Sequence, residues 1–524
     1  MNPIRMNNND RRRRVAASAR IRNTCLMLAC ILAAGCAVGP NYSKPDLAIE
    51  AAYKEAPPAG WKTAAPSDAL RRGAWWEIFG DATLNDLEKQ VDVSNQSLKQ
   101  AEAQYRQSAA LVSGARASFW PTLSASLSAT RSGRYGNSGG GIVSGGTVIS
   151  GGSSTGNTGS SHPADAYQLP LAATWEPDLW GSVRRQVEES AANAQASAAT
   201  LESTRLSLHA QLATTYFELR IADEQKRLLD DTVDAYAKAL ALTQNQYNVG
   251  MVARADVITA ETQLKSAQVQ AIDVGISRTQ YEHAIAVLIG KAPADFSLPA
   301  QKLTIAPPPI PLAVTTTLLE RRPDVAVAER QAAAANAQIG VAEAAWFPTL
   351  TLSATGGYSN SSWSQLLEAP SRFWSIGPRL AETLFDGGAR RAQSAQARAA
   401  YDAAAANYRQ IALAAFQNVE DELAALRILE QEAAAQSDAV QSAEHALSIT
   451  INQYRAGTVS YLNVITAQAT AYSNERNAIS ILGNRLDDSV ALVKALGGGW
   501  DEKDLPTQGE ISRRSAAPTD ANRE

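Results

Sequence analysis

The chain is predicted to be an α+β protein in which long coiled-coil helices are joined to short strands patterned for a membrane barrel, the whole arrangement being written twice. Three observations predict this. First, Gln246–Ala260 reads QYNVGMVARADVITA and Gln453–Ala467 reads QYRAGTVSYLNVITA, an internal repeat at an offset of 453 − 246 = 207 positions. Second, the approach to each copy carries a sevenfold apolar spacing: Leu212, Leu219, Val233, Leu240 and Tyr247, then Val419, Leu426, Ala433, Val440, Leu447 and Tyr454. Only Lys226 interrupts the first series, and such spacing is the seam of a coiled coil. Third, Leu123, Ala125, Leu127 and Ala129 alternate with Ser and Thr, as do Leu350, Leu352 and Ala354. A barrel strand with lipid on one face and water on the other has this period of two.

The elements follow in order. Residues 1–35 read as a lipoprotein signal: Arg11–Arg14 with Arg20 and Arg22, an apolar Thr24–Gly35, and small residues before Cys36. Cys25 and Cys30 fall in that leader, so Cys36 is the expected lipidation site and lone mature cysteine, which excludes a disulfide framework. Residues 36–81 are irregular and end in Trp75-Trp76. The first repeat, 82–290, opens with a helical pattern to Ser118 that stops before Pro121, which cannot continue a helix. A β-hairpin over 121–177 follows, its return strand marked by Tyr167, Leu169, Leu171, Ala173 and Trp175. Between its strands, Gly133–Ser161 is nearly all Gly, Ser, Thr and Asn, an exposed loop by composition.

A helical hairpin over 183–290 completes that repeat. Its outgoing arm, Val183–Val249, would be on the order of 100 Å long at 1.5 Å per residue. Residues 291–322 are a Pro-rich linker, 323–496 repeat the plan with a β-hairpin over 348–385 and a helical hairpin over 389–496, and 497–524 form a polar tail. Each helical hairpin turns at a glycine, Gly250 or Gly457, and resumes behind Asp256 or Asn463. Phe119-Trp120-Pro121-Thr122-Leu123 matches Trp346-Phe347-Pro348-Thr349-Leu350, so the strands are duplicated with the helices.

Composition excludes other classes. A net charge of −4 with no basic run outside the leader gives no nucleic-acid footprint. The chain has no run of 18 apolar residues, so a membrane crossing would use strands. His162, His209, His283 and His445 lack ligand spacing, and HExxH, CxxC and a phosphate-cradling glycine loop are missing, so neither enzyme nor metal or other cofactor is expected. Asp230-Asp231 and Asp487-Asp488 are expected to be solvated helix faces. A few strands cannot close on themselves, and an open edge is forbidden in lipid, so an oligomer is expected.

The residues CAVGPNYSKP from Cys36, the W-W-x-x-F-x-D pattern from Trp75 and the WSIGPRLAETLFDGG stretch resemble the TolC-type outer membrane factors in their lipoprotein branch. The resemblance implies a homotrimer with four strands per chain, closing a twelve-strand barrel continuous with a periplasmic helical tunnel. It implies an outer-membrane exit duct for drugs or other small toxic molecules, lipid-anchored, working with a periplasmic adaptor and an inner-membrane pump. An exit duct for secreted proteins, or a non-conducting coiled-coil lipoprotein, is the alternative. By the same resemblance the turns Gly250, Met251, Val252, Arg254, Gly457, Thr458 and Val459 would meet the adaptor. The periplasmic aperture would be formed by Tyr454, Asn463, Thr466 and Asp256, with Asn463 and Thr466 standing at the family's acidic ring positions.

Overall fold

A computed structural model of the chain describes residues 37–47, 53–55, 74–133, 164–310, 321–507, 509–511 and 513. The expectations for the leader, for Cys36 and for the Gly/Ser tract beyond Gly133 lie outside the described residues. The chain divides into two compact units. The first draws on Met1–Pro40, Gly114–Glu188 and Ala337–Ala397, the second on Asn41–Ser113, Glu189–Asn336 and Arg398–Glu524.

The first unit contains an antiparallel sheet of β1 (Thr122–Ala125), β2 (Ser128–Ser132), β3 (Ala164–Trp175), β4 (Thr349–Asn360) and β5 (Arg372–Ala381). The order is β1-β3-β4-β5, with β2 also on β3. The expected first strand is therefore two strands, and the reason is Pro170. Ala125 faces Leu171 and Ser128 faces Gln168, so β1 and β2 keep one register against β3. Between them Ser126 N–H donates to Pro170 O (3.2 Å), but the reciprocal bond cannot form because proline has no N–H. On its other side Pro170 faces Gly357, where a Cβ would lie 2.1 Å from Leu169 O, so only glycine fits. The second hairpin also stops short of its predicted end at 385: β5 ends at Ala381 because its partner Thr349 is the first residue of β4.

Register makes the two faces explicit. Leu123, Leu169, Leu171, Ala173, Leu350, Leu352, Ala354, Trp374, Ile376 and Leu380 share one face. Thr122, Ser124, Gln168, Thr174, Thr351, Ser353, Thr355 and Ser375 share the other. Exposure of Trp374 (80%) and Ile376 (74%) shows that nothing among the described residues covers the apolar face there. Phe119 O accepts from Trp175 Nε1 (3.0 Å), and Trp180 stacks on Phe347 at 4.8 Å while its Nε1 donates to Pro348 O (2.7 Å). Indoles whose bodies are apolar and whose N–H groups are satisfied collect at one end of the strands.

The second unit is built on helices. These are α1 (Ala82–Ser94), α2 (Gln96–Ala117), α3 (Ser182–Asn248), α4 (Arg254–Leu288), α5 (Pro323–Ala344), α6 (Ala389–Arg455) and α7 (Tyr461–Ala495), some of whose ends belong to the first unit. The helix predicted from Ala82 to Ser118 is broken at Asn95. There Asn95 Oδ1 accepts from Leu98 N–H (3.0 Å) to cap α2, while its Nδ2 donates to Leu288 O (2.7 Å). The sevenfold spacing continues across the break, burying Val91, Leu98, Tyr105 and Val112, while Leu111 is exposed. The core joins Leu212 and Leu219 of α3, Val419, Leu423 and Leu426 of α6, Leu486 and Val490 of α7, and Trp75 and Phe79 of a 3-10 turn, Trp75–Phe79. Lys226 leaves the seam and donates to Asp230 (2.6 Å) on the exposed surface. Asp230 and Asp231 are solvated as expected, whereas Asp487 is half-buried, and burial beside Glu218 pushes its carboxyl up to about 7.

Candidate functional site

The functional candidates cluster where each long helix reverses. Both outgoing helices end in the same Schellman geometry. Gly250 N–H donates to Tyr247 O (2.9 Å) and Met251 N–H to Gln246 O (2.9 Å); Gly457 N–H donates to Tyr454 O (2.9 Å) and Thr458 N–H to Gln453 O (3.0 Å). The glycines have φ of +79° and +74° with open space around the missing Cβ, so conformation and not crowding requires them. Met251 and Thr458 are exposed at the two tips, and Val252 and Val459 are half-buried behind them.

The returning helices begin differently. Asp256 turns its carboxylate back to accept from Ala253 N–H (3.3 Å), capping α4. Arg254 is exposed and makes no ion pair with Asp256 among the described residues. In the second copy Asn463 N–H donates to Ser460 O (3.1 Å), while Thr466 Oγ1 donates to Leu462 O (3.0 Å), spending its proton within its own helix. Asn463 and Thr466 are both exposed, so two neutral side chains stand where the resemblance implies a carboxylate ring.

Tyr454 is the site residue with most partners. Its hydroxyl lies 3.1 Å from Thr243 Oγ1 of α3, its ring is tilted against Tyr461 at 5.5 Å, and both tyrosines pack with Ala260, Val464 and Ile465. Burial raises the Tyr454 hydroxyl above its ordinary range, so it stays a neutral donor. Its counterpart Tyr247 is exposed, and the copies are therefore unequal at this point. Thr243 and Tyr461 were not anticipated from sequence. The one available signal was that Tyr461 stands where the first copy has Arg254, a break in the duplication.

A sheet with one apolar and one hydroxyl-rich face, in a chain whose remaining bulk is paired long helices, defines a subunit of an outer-membrane channel. None of the described helices is long and apolar enough to cross a membrane. The chain belongs to the outer membrane efflux protein family, whose profile matches residues 87–291 and 314–498. It is 28% identical over 487 residues to the probable efflux pump outer membrane protein TtgC of Pseudomonas putida, covering 91% of this chain and 96% of that one. Identity is also 28%, over 490 residues, to the pyoverdine export outer membrane protein OpmQ of Pseudomonas aeruginosa, covering 92% of this chain and 97% of that one. The solved outer-membrane channel OprN matches the fold with a TM-score of 0.78 at 28% identity, over 89% of this chain and 100% of OprN.

Proposed function

We propose that the chain is the outer-membrane exit duct of a tripartite efflux system, passing drugs or other small toxic molecules outward with a periplasmic adaptor and an inner-membrane pump. The observation that carries the reading is the two-faced sheet whose outer strands, β1 with β2 and β5, each have one edge unpaired among the described residues. Unpaired backbone groups cannot stand in lipid, so neighbouring copies supply the missing pairing. Three copies would give the barrel implied by the family's plan. Cys36 would add an acyl anchor in the outer membrane. The turns at Gly250–Arg254 and Gly457–Val459 would receive the adaptor, opening the aperture by binding the open state more tightly than the closed one.

The closed aperture would be held by packing around Tyr454 and by its neutral hydroxyl contact with Thr243, a bond of the kind contributing about 1 kcal/mol. Asn463 and Thr466 would line it without charge. Purified protein in planar bilayers tests both duct and gate. The wild type should conduct ions with little blockade by divalent cations, and Thr466→Asp should introduce blockade from the periplasmic side. Absence of conductance even in Tyr454→Ala would remove the duct reading. Strong divalent blockade of the wild type would show that a carboxylate ring lies elsewhere.

A further inference from the structure

We propose that α1 is fastened to the long helix α3 by a doubly protonated His209, and that loss of one ring proton in alkaline surroundings loosens this fastening. The geometry is that of a cation between two acceptors. His209 Nδ1 lies 2.6 Å from Glu88 Oε2, and Nε2 lies 3.4 Å from Asp92 Oδ1, Glu88 and Asp92 standing one turn apart on α1. A neutral imidazole carries one N–H and can donate to only one of them. Trp76 covers the ring face, stacked at 4.4 Å and 23°.

The partners are unequally protected. Asp92 is half-exposed and is also ion-paired with Arg205, whose Nε lies 3.2 Å away, and Arg205 Nη1 in turn donates to Glu202 (2.7 Å). Glu88 is wholly buried and its Oε1 has no hydrogen-bond partner, so His209 supplies its sole nearby cation among the described residues. Deprotonation of His209 therefore leaves a buried carboxylate uncompensated, which is strongly unfavourable. A cleft of about 350 Å³ with Trp75, Glu202, Arg205, His209, Trp500 and Asp504 in its lining admits water and protons to the ring. The charged groups around the ring, Glu88, Asp92, Glu202, Asp504 and Arg205, have an acidic surplus that favours the imidazolium.

Burial alone would lower the His209 ring; hydrogen bonds to Asp92 and Glu88 outweigh it and hold the ring protonated up to about 9. Burial also raises Glu88, to about 7. Both shifts mean that the folded state binds more protons than the unfolded one. The stabilisation from His209 is complete below its ordinary value near 6.5 and is lost as pH rises through about 9. Tyr216 Oη donates to Asp81 (2.9 Å), burial pushing that hydroxyl up to about 12, and Phe79 packs on Phe217 at 4.9 Å; these contacts hold the start of α1, so loosening is confined to its later turns.

Hydrogen–deuterium exchange on the full-length, detergent-solubilised protein, corrected for intrinsic rates, reads this directly. Between pH 7 and 9.5 the peptide over 82–94 should gain at least about tenfold in exchange, the equivalent of one proton-linked decade, while α4 stays unchanged. His209→Gln should remove that pH dependence. Asp92→Asn, at a half-exposed position that leaves the buried pair in place, should move the midpoint to lower pH. A flat wild-type profile, or the same rise in His209→Gln, overturns the proposal. If His209→Gln does not assemble, an unshifted midpoint in Asp92→Asn overturns it instead.

Discussion

Ile376→Arg should abolish recovery of the protein from the outer membrane, while Ser375→Arg, one position away, should leave it nearly unchanged. Ile376 lies in the middle of β5 opposite Ala354, on the face that also carries Trp374, Leu380 and Leu171. A guanidinium at the lipid midplane of a barrel costs roughly 2–4 kcal/mol per site, and a symmetric oligomer meets that cost in every copy. Ser375 faces Thr355 on the hydroxyl-rich side, where a charge stays hydrated. Cold SDS gels of isolated outer membranes, scored for folded oligomer, give the readout. Equal loss in both variants, or loss in Ser375→Arg alone, would mean that the apolar face does not meet lipid.

Gly497→Ala should destabilise the protein far more than Gly457→Ala, although both glycines end a helix in the same left-handed conformation, with φ of +89° and +74°. An L-residue there costs about 1–2 kcal/mol in either place. At Gly457 nothing else opposes the added methyl group. At Gly497 the new Cβ would sit 1.9 Å from Arg321 O, where the end of α7 docks beside α5 and Arg322 Nη1 donates to Ala495 O (3.1 Å). Backbone must move, and core backbone shifts add about 1–3 kcal/mol. Gly290, with Ser94 O at 2.4 Å, belongs with Gly497, and Gly250 belongs with Gly457. Apparent melting temperatures of the four alanine variants should fall into these two pairs; four equal losses would show that conformation alone sets the requirement.

Much of the fold was legible because its signals are local and repeated. Helix α3, Ser182–Asn248, lies one residue from the predicted Val183–Val249, since a heptad seam running into a glycine specifies both period and stop. What escaped depends on partners distant in sequence. Asn95 breaks its helix because Leu288 O is there to receive its amide. Pro170 divides a strand 44 positions away, at Ser126. His209, set aside for want of ligand spacing, acquires its acids 121 and 117 positions upstream. The reversal was read correctly as a place, through Gly250 and Gly457, but not as an asymmetric one. Tyr247 and Tyr454 are alike in the repeat, and only packing against Thr243 and Tyr461 distinguishes them.

The pairing of Pro170 with Gly357 has a consequence for how the sheet selects its alignment. A strand that slips by one residue turns its apolar side chains to the opposite face, and lipid penalises that error heavily. A slip by two keeps the faces correct and is the error that chemistry alone would forgive. Here such a slip would bring Thr355 or Ser359 opposite Pro170 in place of Gly357, with a Cβ driven toward the Leu169 carbonyl that only glycine now clears. The one-residue slip that would offer Gly356 instead is the one that inverts the faces. Proline and glycine thus work as a keyed joint: β3 and β4 can mate in one alignment, and the frame of the outer strands is settled within the chain itself.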